Sequence, residues 1–401
     1  MPKLVNITCC FSNFELNRAS RFPNGIHPVN HLMKPKLLFW ISLIGITVFE
    51  FYKVYLISPF PGSQQGDAVS VAWFLYHYRW FFRIVLLAGI IVGIKPVFTR
   101  RKWIPITVMI VSGIVVYTTN FEMSADKMFS EPEHLAFASP TSCGIPLDAI
   151  VIGVTNNGES KAYPMRYLIF HHNVTDVVGG KKVMVTYCSA CRSGLVLEPI
   201  VDGNTESFRL VGMEQFNAMY EDNSTGSWWR QASGEAVAGE LIGTQLPLVN
   251  FEQLTLKEWS QRHPTGVVML PDQKFVDQYS NDAFEKGINQ GSIVRKDSLA
   301  WQKRSWVVGI ESNGNYRAYD WNELVRKRAI HDTIGTSYIE VYVDDQNINF
   351  GAKSSQVDFY GTDGDSIPPA EYRSESEIPA RQMYWHTWKT FYPSTTRYGV
   401  K

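Results

Sequence analysis

The residues of this chain best suited to chemistry are two cysteines at close spacing, Cys188-Ser189-Ala190-Cys191. Two thiols at this separation can exchange with disulfides, bind a soft metal as thiolates, or close a structural disulfide across a turn. In a redox helix the pair would open the helix and draw on its free N–H groups. Here the apolar run Val183-Met184-Val185-Thr186-Tyr187 precedes it, and Arg192-Ser193-Gly194 and Leu195-Val196-Leu197 follow it. That pattern predicts strand, turn, strand, so any acidity of the thiols needs another source, such as the adjacent Arg192. Tetrahedral zinc needs four ligands and there is no second C-x-x-C. A softer ion such as Cu(I) could add His171, His172, Met213 or Met219, with His172 and Met213 the preferred partners of Cys188 and Cys191. The residues themselves leave redox exchange, metal binding and a structural disulfide open.

Weaker candidates surround the pair. Trp228-Trp229 with Gln231, Gly234 and Glu235 could wall a pocket holding one carboxylate, although aromatic side chains more often serve the core. His171-His172 reads first as a solvated or core pair, and Glu221-Asp222-Asn223-Ser224-Thr225-Gly226 as a loop with Asp222 as a turn residue. No Walker A, G-x-G-x-x-G, H-E-x-x-H or G-x-S-x-G segment is present, which leaves nucleotide-driven and zinc-protease chemistry without support.

The elements that position the pair repeat. At an offset of 156, Gly153, Asn157-Gly158, Ala162-Tyr163, Leu168, Asp176, Gly179 and Val185 recur as Gly309, Asn313-Gly314, Ala318-Tyr319, Leu324, Asp332, Gly335 and Val341. Each copy later closes on a Trp and a Pro, Trp259 to Pro264 and Trp388 to Pro393. Asn-Gly between β-rich runs signals a hairpin, because its turn needs positive φ at both central residues, and Tyr167 to Phe170 suggests a short helix. The expectation is a β-rich α+β domain, internally duplicated with pseudo-two-fold symmetry, with repeats at 144–301 and 302–401. The cysteines map onto Asp344 and Asn347, so only the first copy carries the pair.

Three apolar stretches precede this domain. Trp103 to Phe121 carries no charge, Leu37 to Ile57 contains Glu50 and Lys53, and the middle stretch, Ile84 to Ile94, needs extension past Arg83 towards Ala68 to span. Glu50 and Lys53 stand three apart and can meet on one helix face, while Arg83 would snorkel. The expected organisation is a cytoplasmic tail at 1–36, three membrane helices within 37–121 and a linker at 122–143. Lys3, Arg18, Arg21, Lys34 and Lys36, then Lys95, Arg100, Arg101 and Lys102, mark the cytoplasmic side. The globular part then faces the periplasm or exterior of a cytoplasmic membrane. Cys9 and Cys10 would be cytoplasmic, and Cys143, Cys188 and Cys191 would face a disulfide-permissive compartment.

Composition agrees with a mostly globular protein carrying a small membrane segment. The 401 residues hold 38 basic and 38 acidic side chains, a zero net charge that argues against nucleic acid as a partner. Aromatics at 13% exclude a disordered chain.

Ala162-Tyr163-Pro164, Asp176 to Gly179-Gly180 and Val185-Thr186-Tyr187-Cys188-Ser189-Ala190-Cys191 together resemble the bacterial family called domain of unknown function 3179. Tyr220 to Ser227, Trp229-Arg230-Gln231, Gly234-Glu235-Ala236, Gly239, Gly243 and the Trp259 to Pro264 ending continue the resemblance, which covers about residues 144 to 396. Ser189-Ala190 replaces the usual Pro-Leu between the cysteines, and the three-span N-terminus looks like an addition to the family domain. Some family members carry selenocysteine in this motif. The resemblance therefore implies redox or nucleophilic use of Cys188 and Cys191, with Arg192, Trp229, Gln231 and Glu235 as binding candidates. The expected function is a membrane-tethered thiol-redox protein acting on an unknown small molecule or thiol partner, with no cofactor assigned. Copper binding and a binding domain with a structural disulfide are the alternatives.

Overall fold

The computed structural model describes residues 34–99, 101–280, 300–356 and 376–400. Most of the expected N-terminal tail, Cys9 and Cys10 included, lies outside them.

Three helices are long and apolar enough to cross a membrane: α1 (Pro35–Tyr55), α3 (Arg79–Val97), and α4 (Trp103–Tyr117) prolonged to Glu122 by a π-helical turn. α1 and α3 pack closely because a Cβ at Gly89 would lie 2.1 Å from Ser42 Oγ and one at Gly93 2.4 Å from the Pro35 carbonyl. Gly89 and Gly93 form the small-x-x-x-small spacing that lets apolar helices approach. The middle span differs from expectation. The chain breaks at Tyr78, and Ala68–His77 forms a separate helix, α2. With 19 residues of its own, α3 needs no extension. Arg83 therefore does not snorkel; it binds Glu50, whose carboxylate offers a charged partner.

The rest of the chain is a mixture of short helices and many small sheets in a propeller-like arrangement. Strands β1 (Ile150–Asn156) and β2 (Glu159–Pro164) form the hairpin expected at Asn157-Gly158, with Asn157 at φ 46° and Gly158 at φ 80°. Helix α5 (Met165–His171) follows, then β3 (Asn173–Val178), β4 (Lys181–Cys188) and β5 (Ser193–Leu197), a three-stranded sheet with β4 central. Next come β6 (Phe208–Glu214), β7 (Asn217–Asp222), β8 (Trp228–Arg230) and β9 (Ala236–Ala238), a four-stranded antiparallel sheet. β10 (Glu252–Thr255) returns to pair with β1, and helix α6 (Leu256–Arg262) buries Trp259. The segment expected as a linker contributes a short strand, Phe137–Ala138, at the edge of the β1 sheet.

The C-terminal part has the same element order: hairpin β11 (Trp306–Ser312) and β12 (Asn315–Asp320), helix α7 (Trp321–Lys327), then β13 (Ala329–Ile334), β14 (Ser337–Val343) and β15 (Phe350–Gln356). β16 (Arg381–Tyr384) pairs with β11 as β10 pairs with β1, and helix α8 (Trp385–Phe391) follows. Gly153 faces Trp259 and Gly309 faces Trp388, each from an interior strand of its sheet. A Cβ at Gly309 would lie 2.1 Å from Trp388 Cζ3, with a fully buried ring and nowhere to move. Gly309→Ala is expected to cost about 3 kcal/mol through overpacking, read as a lower urea midpoint with an unchanged m-value.

The membrane and globular parts are packed against each other. Leu56, Ile57, Ala68, Val69 and Ala72 share a buried cluster with Val211, Met219, Trp228 and Ala238. The Trp73 indole N–H donates to the Gly226 carbonyl at 2.8 Å. The sheet β6–β9 thus sits on α2, burying Trp228 on its membrane side and Trp229 in the main core.

Candidate functional site

Cys188 ends β4 and pairs in register with Ser193 at the start of β5, so residues 189–192 form the connecting turn. The turn closes with Arg192 at φ 57°. This is the strand–turn–strand arrangement expected from the flanking residues, and no helix begins at the cysteines. Both side chains are free thiols and fully buried. Cys143 is a third buried thiol, directed at the Pro140 carbonyl at 3.3 Å.

The two thiols differ electrostatically. A hydrogen bond from the Cys191 thiol, with backbone N–H groups of Cys191, Ala218 and Ala190, pulls Cys188 down to about 7 against the opposing effect of burial. Converging amide donors stabilise a thiolate as they would any anion. Cys191 is pushed well up by that same hydrogen bond and by burial. Cys188 is therefore the acidic member and Cys191 holds the proton. Arg192 takes no part in this: its guanidinium donates to the Tyr187 hydroxyl.

Cys191 lies where the two halves of the globular part meet. Its carbonyl accepts the Tyr384 N–H at 3.3 Å, and its thiol has Thr387 of α8 and Asn217 of β7 as hydrogen-bonding neighbours. Beneath the turn a polar network centres on fully buried Gln231. Gln231 Oε1 accepts from Ser193 Oγ and from Asn217 Nδ2, both at 2.8 Å, while Nε2 donates to Thr186 Oγ1 at 2.9 Å and to the Ser193 carbonyl at 3.1 Å. All four bonding positions of the amide are used, so Gln231 fixes the base of the cysteine turn and has none left for a ligand.

The other candidates disperse. Trp229 is buried, its indole N–H on Asp222 Oδ2 at 2.8 Å. Asp222 also accepts from the Thr225 and Ser227 N–H groups, as a turn residue does. Glu235 pairs with Arg230 at 2.8 Å. No shared pocket of Trp228, Trp229 and Glu235 forms, because successive strand residues face opposite sides of the sheet. Met213 bonds through its N–H to the Ile57 carbonyl at the membrane junction. Among the described residues no three of His, Cys, Asp and Glu gather as a metal site. A separate cleft of about 230 Å³ between β10 and β14–β15 is lined by Glu252, His263, Tyr342 and Glu377 and includes none of the predicted site residues.

His171 and His172 are core residues. His171 bonds the Ser130 carbonyl and the Tyr279 hydroxyl, both at 2.5 Å. His172 packs on Phe129, and burial lowers it to about 4. Folded His172 is thus neutral at pH 5, while in the unfolded chain it takes up a proton near its ordinary 6.5. A depressed pKa stabilises the fold above 6.5, and that stability is lost as pH falls towards 4. Unfolding free energy is expected to drop by about 2 kcal/mol between pH 7.5 and 5 from this group alone. In His172→Asn, which tolerates the φ of 64° at this position, the dependence should shrink by that amount.

Comparison with protein families matches the family described as Protein of unknown function (DUF3179) over residues 134–395. The chain belongs to this family. The DUF3179 region takes in both halves of the globular part and the strand at Phe137, and leaves α1 to α4 outside. Comparisons with curated proteins and with solved structures give no match.

Three site residues escaped the sequence reading. Asn217 and Thr387 reach Cys191 from distant segments, and Gln64 touches the site from the membrane side. No local pattern marks any of them.

Proposed function

We propose that this DUF3179 protein is a membrane-tethered, extracytoplasmic thiol–disulfide exchange protein in which Cys188 attacks and Cys191 resolves. The observation that carries the reading is the pairing of an amide-supported acidic thiol with a protonated one across a single turn. The Cys188 thiolate attacks a disulfide of the partner, forming a mixed disulfide and releasing one partner thiolate. Cys191 then attacks Cys188 Sγ, releasing the second partner thiolate and leaving the Cys188–Cys191 disulfide. The Cys191 proton passes to a departing thiolate, so two electrons and the atoms balance.

Orientation follows from charge: Lys34, Lys36, Lys95, Arg101 and Lys102 lie at the helix ends away from the globular part, which supports an extracytoplasmic location for the cysteines. The matching element order and the Gly–Trp pairs of the two halves support descent of the domain from an internal duplication.

The test is to equilibrate the full-length chain in detergent with redox buffers, trap free thiols and measure mass. A Cys188–Cys191 potential above roughly −250 mV supports exchange, whereas one below roughly −300 mV marks a structural staple. No disulfide together with retained copper after loading would replace the reading by metal binding.

A further inference from the structure

The cysteine turn is covered from the membrane side. Cys188 Sγ donates to the Phe216 carbonyl at 3.4 Å. Phe216 and Gln215 form the two-residue turn between β6 and β7, both at positive φ, 66° and 48°. Neither is a glycine, so the turn is strained and needs support from its surroundings. The support comes from the segment between α1 and α2. Gln64 Oε1 accepts the Phe216 N–H at 2.7 Å and the Gln64 carbonyl accepts Gln215 Nε2 at 2.6 Å. One residue pair earlier, the Met213 N–H donates to the Ile57 carbonyl at 2.8 Å. Gly212 has no side chain because a Cβ there would lie 2.7 Å from the same carbonyl.

We propose that the membrane segment is a working part of the cysteine site: Gln64 is a positioning residue that holds the Phe216 carbonyl over Cys188 and keeps that thiol covered. The proposal rests on Cys188 being the attacking thiol. A carbonyl is an acceptor only, so facing a thiol it favours S–H over S⁻. When the turn lifts, Cys188 loses the acceptor that favours its proton and keeps the amide donors of Ala190 and Cys191 in its own turn, while a path opens to its sulfur. The closed arrangement is not over-stabilised. Gln64 is 5% exposed and its Nε2 is buried without a partner, a cost of the kind unsatisfied donors carry. The orientation of this amide is fixed, since Oε1 must face the Phe216 N–H. A shift of residues 57–64 at the bilayer surface therefore opens the site, and exchange is gated from the membrane.

The test uses the full-length chain in detergent with every cysteine except Cys188 replaced by serine, and iodoacetamide alkylation followed against pH. Gln64→Met keeps the volume and removes the acceptor; alkylation at pH 6.5 is expected to rise about fivefold, with the midpoint of the pH profile moving down. Gln64→Glu retains an acceptor for the Phe216 N–H and should restore the slower profile. An unchanged Gln64→Met profile overturns the proposal, as does a uniform rise at every pH with the midpoint fixed. Should Gln64→Met fail to fold, hydrogen exchange on the otherwise wild-type protein decides. Alkylating Cys188 should speed exchange in both 213–218 and 57–66, and an unaltered 57–66 segment refutes the coupling. These readouts need no disulfide, so they stand apart from the redox titration, whose failure would remove the exchange reading without touching the gate.

Discussion

Alkylation of the wild-type protein at Cys188 is expected to rise with a midpoint near pH 7, while Cys191 stays unreactive until much higher pH. The asymmetry has a definite cause. Four donors converge on Cys188 Sγ, and the largest contribution comes from the Cys191 thiol, with the amides of Cys191, Ala218 and Ala190 behind it. Cys191 is both the donor and a buried group, and each effect raises it. Removing the donor tests the assignment. In Cys191→Ala the rate at pH 7 should fall about tenfold as the midpoint moves up, whereas Cys191→Ser, which keeps a hydroxyl donor, should lose much less. In Cys188→Ser the other thiol of the pair, Cys191, is buried and not acidic, and alkylation at this turn at pH 7 should drop at least about a hundredfold. Equal alkylation of Cys188 and Cys191 at pH 7 would contradict the structure. Cys191→Ser should further accumulate a mixed disulfide at Cys188, since attack proceeds and resolution cannot.

Local signals carried far in this sequence. Asn157-Gly158 gave its hairpin because few other dipeptides accept positive φ twice, and the β-rich runs flanking Cys188 and Cys191 became β4 and β5. Glu50 and Lys53 meet at 2.5 Å as their spacing suggests. Failures came where a side chain had a choice of partner. Arg192 is adjacent to Cys191 in sequence, yet its guanidinium bonds the Tyr187 hydroxyl. Arg83 reads as a headgroup residue in sequence because its partner, Glu50, sits on another helix. The break at Tyr78 has no Gly or Pro to announce it; it follows from α2 docking on the β6–β9 sheet through Trp73 and Ala72. Asn217 and Thr387 reach Cys191, and Gln64 reaches the Phe216 turn over Cys188, across long stretches of chain, and with the second half lacking cysteines nothing in its sequence indicated that α8 would complete the site.

Glu50→Ala should be the most destabilising single change in the membrane segment. Glu50 is fully buried and accepts from Lys53 Nζ at 2.5 Å, Arg83 Nε at 2.6 Å and Nη2 at 3.0 Å, and Asn120 Nδ2 at 2.8 Å. One carboxylate thus ties α1 to α3 and to the end of α4, and its removal leaves two cations facing each other without an anion among apolar helices. Breaking a buried ion cluster in this way costs about 3–5 kcal/mol, but replacing the whole cluster by apolar residues of similar size is often neutral. Glu50→Ala is therefore expected to lower the unfolding temperature in detergent markedly, and the triple change Glu50→Leu, Lys53→Met, Arg83→Met to recover most of the loss. Recovery would mark the cluster as a fastener of helices, while a stable triple variant with slowed thiol exchange would make the charges part of the function. The two outcomes bear on the cysteine site through a short path. Lys53 lies under the Tyr76 ring, 5.2 Å from its centroid, and Tyr76 meets Trp228 edge-on at 5.5 Å. Four residues beyond Lys53, Ile57 holds the Met213 N–H. Loosening α1 at Glu50 should consequently release the cover over Cys188, so Glu50→Ala is expected to speed Cys188 alkylation at temperatures where the protein remains folded.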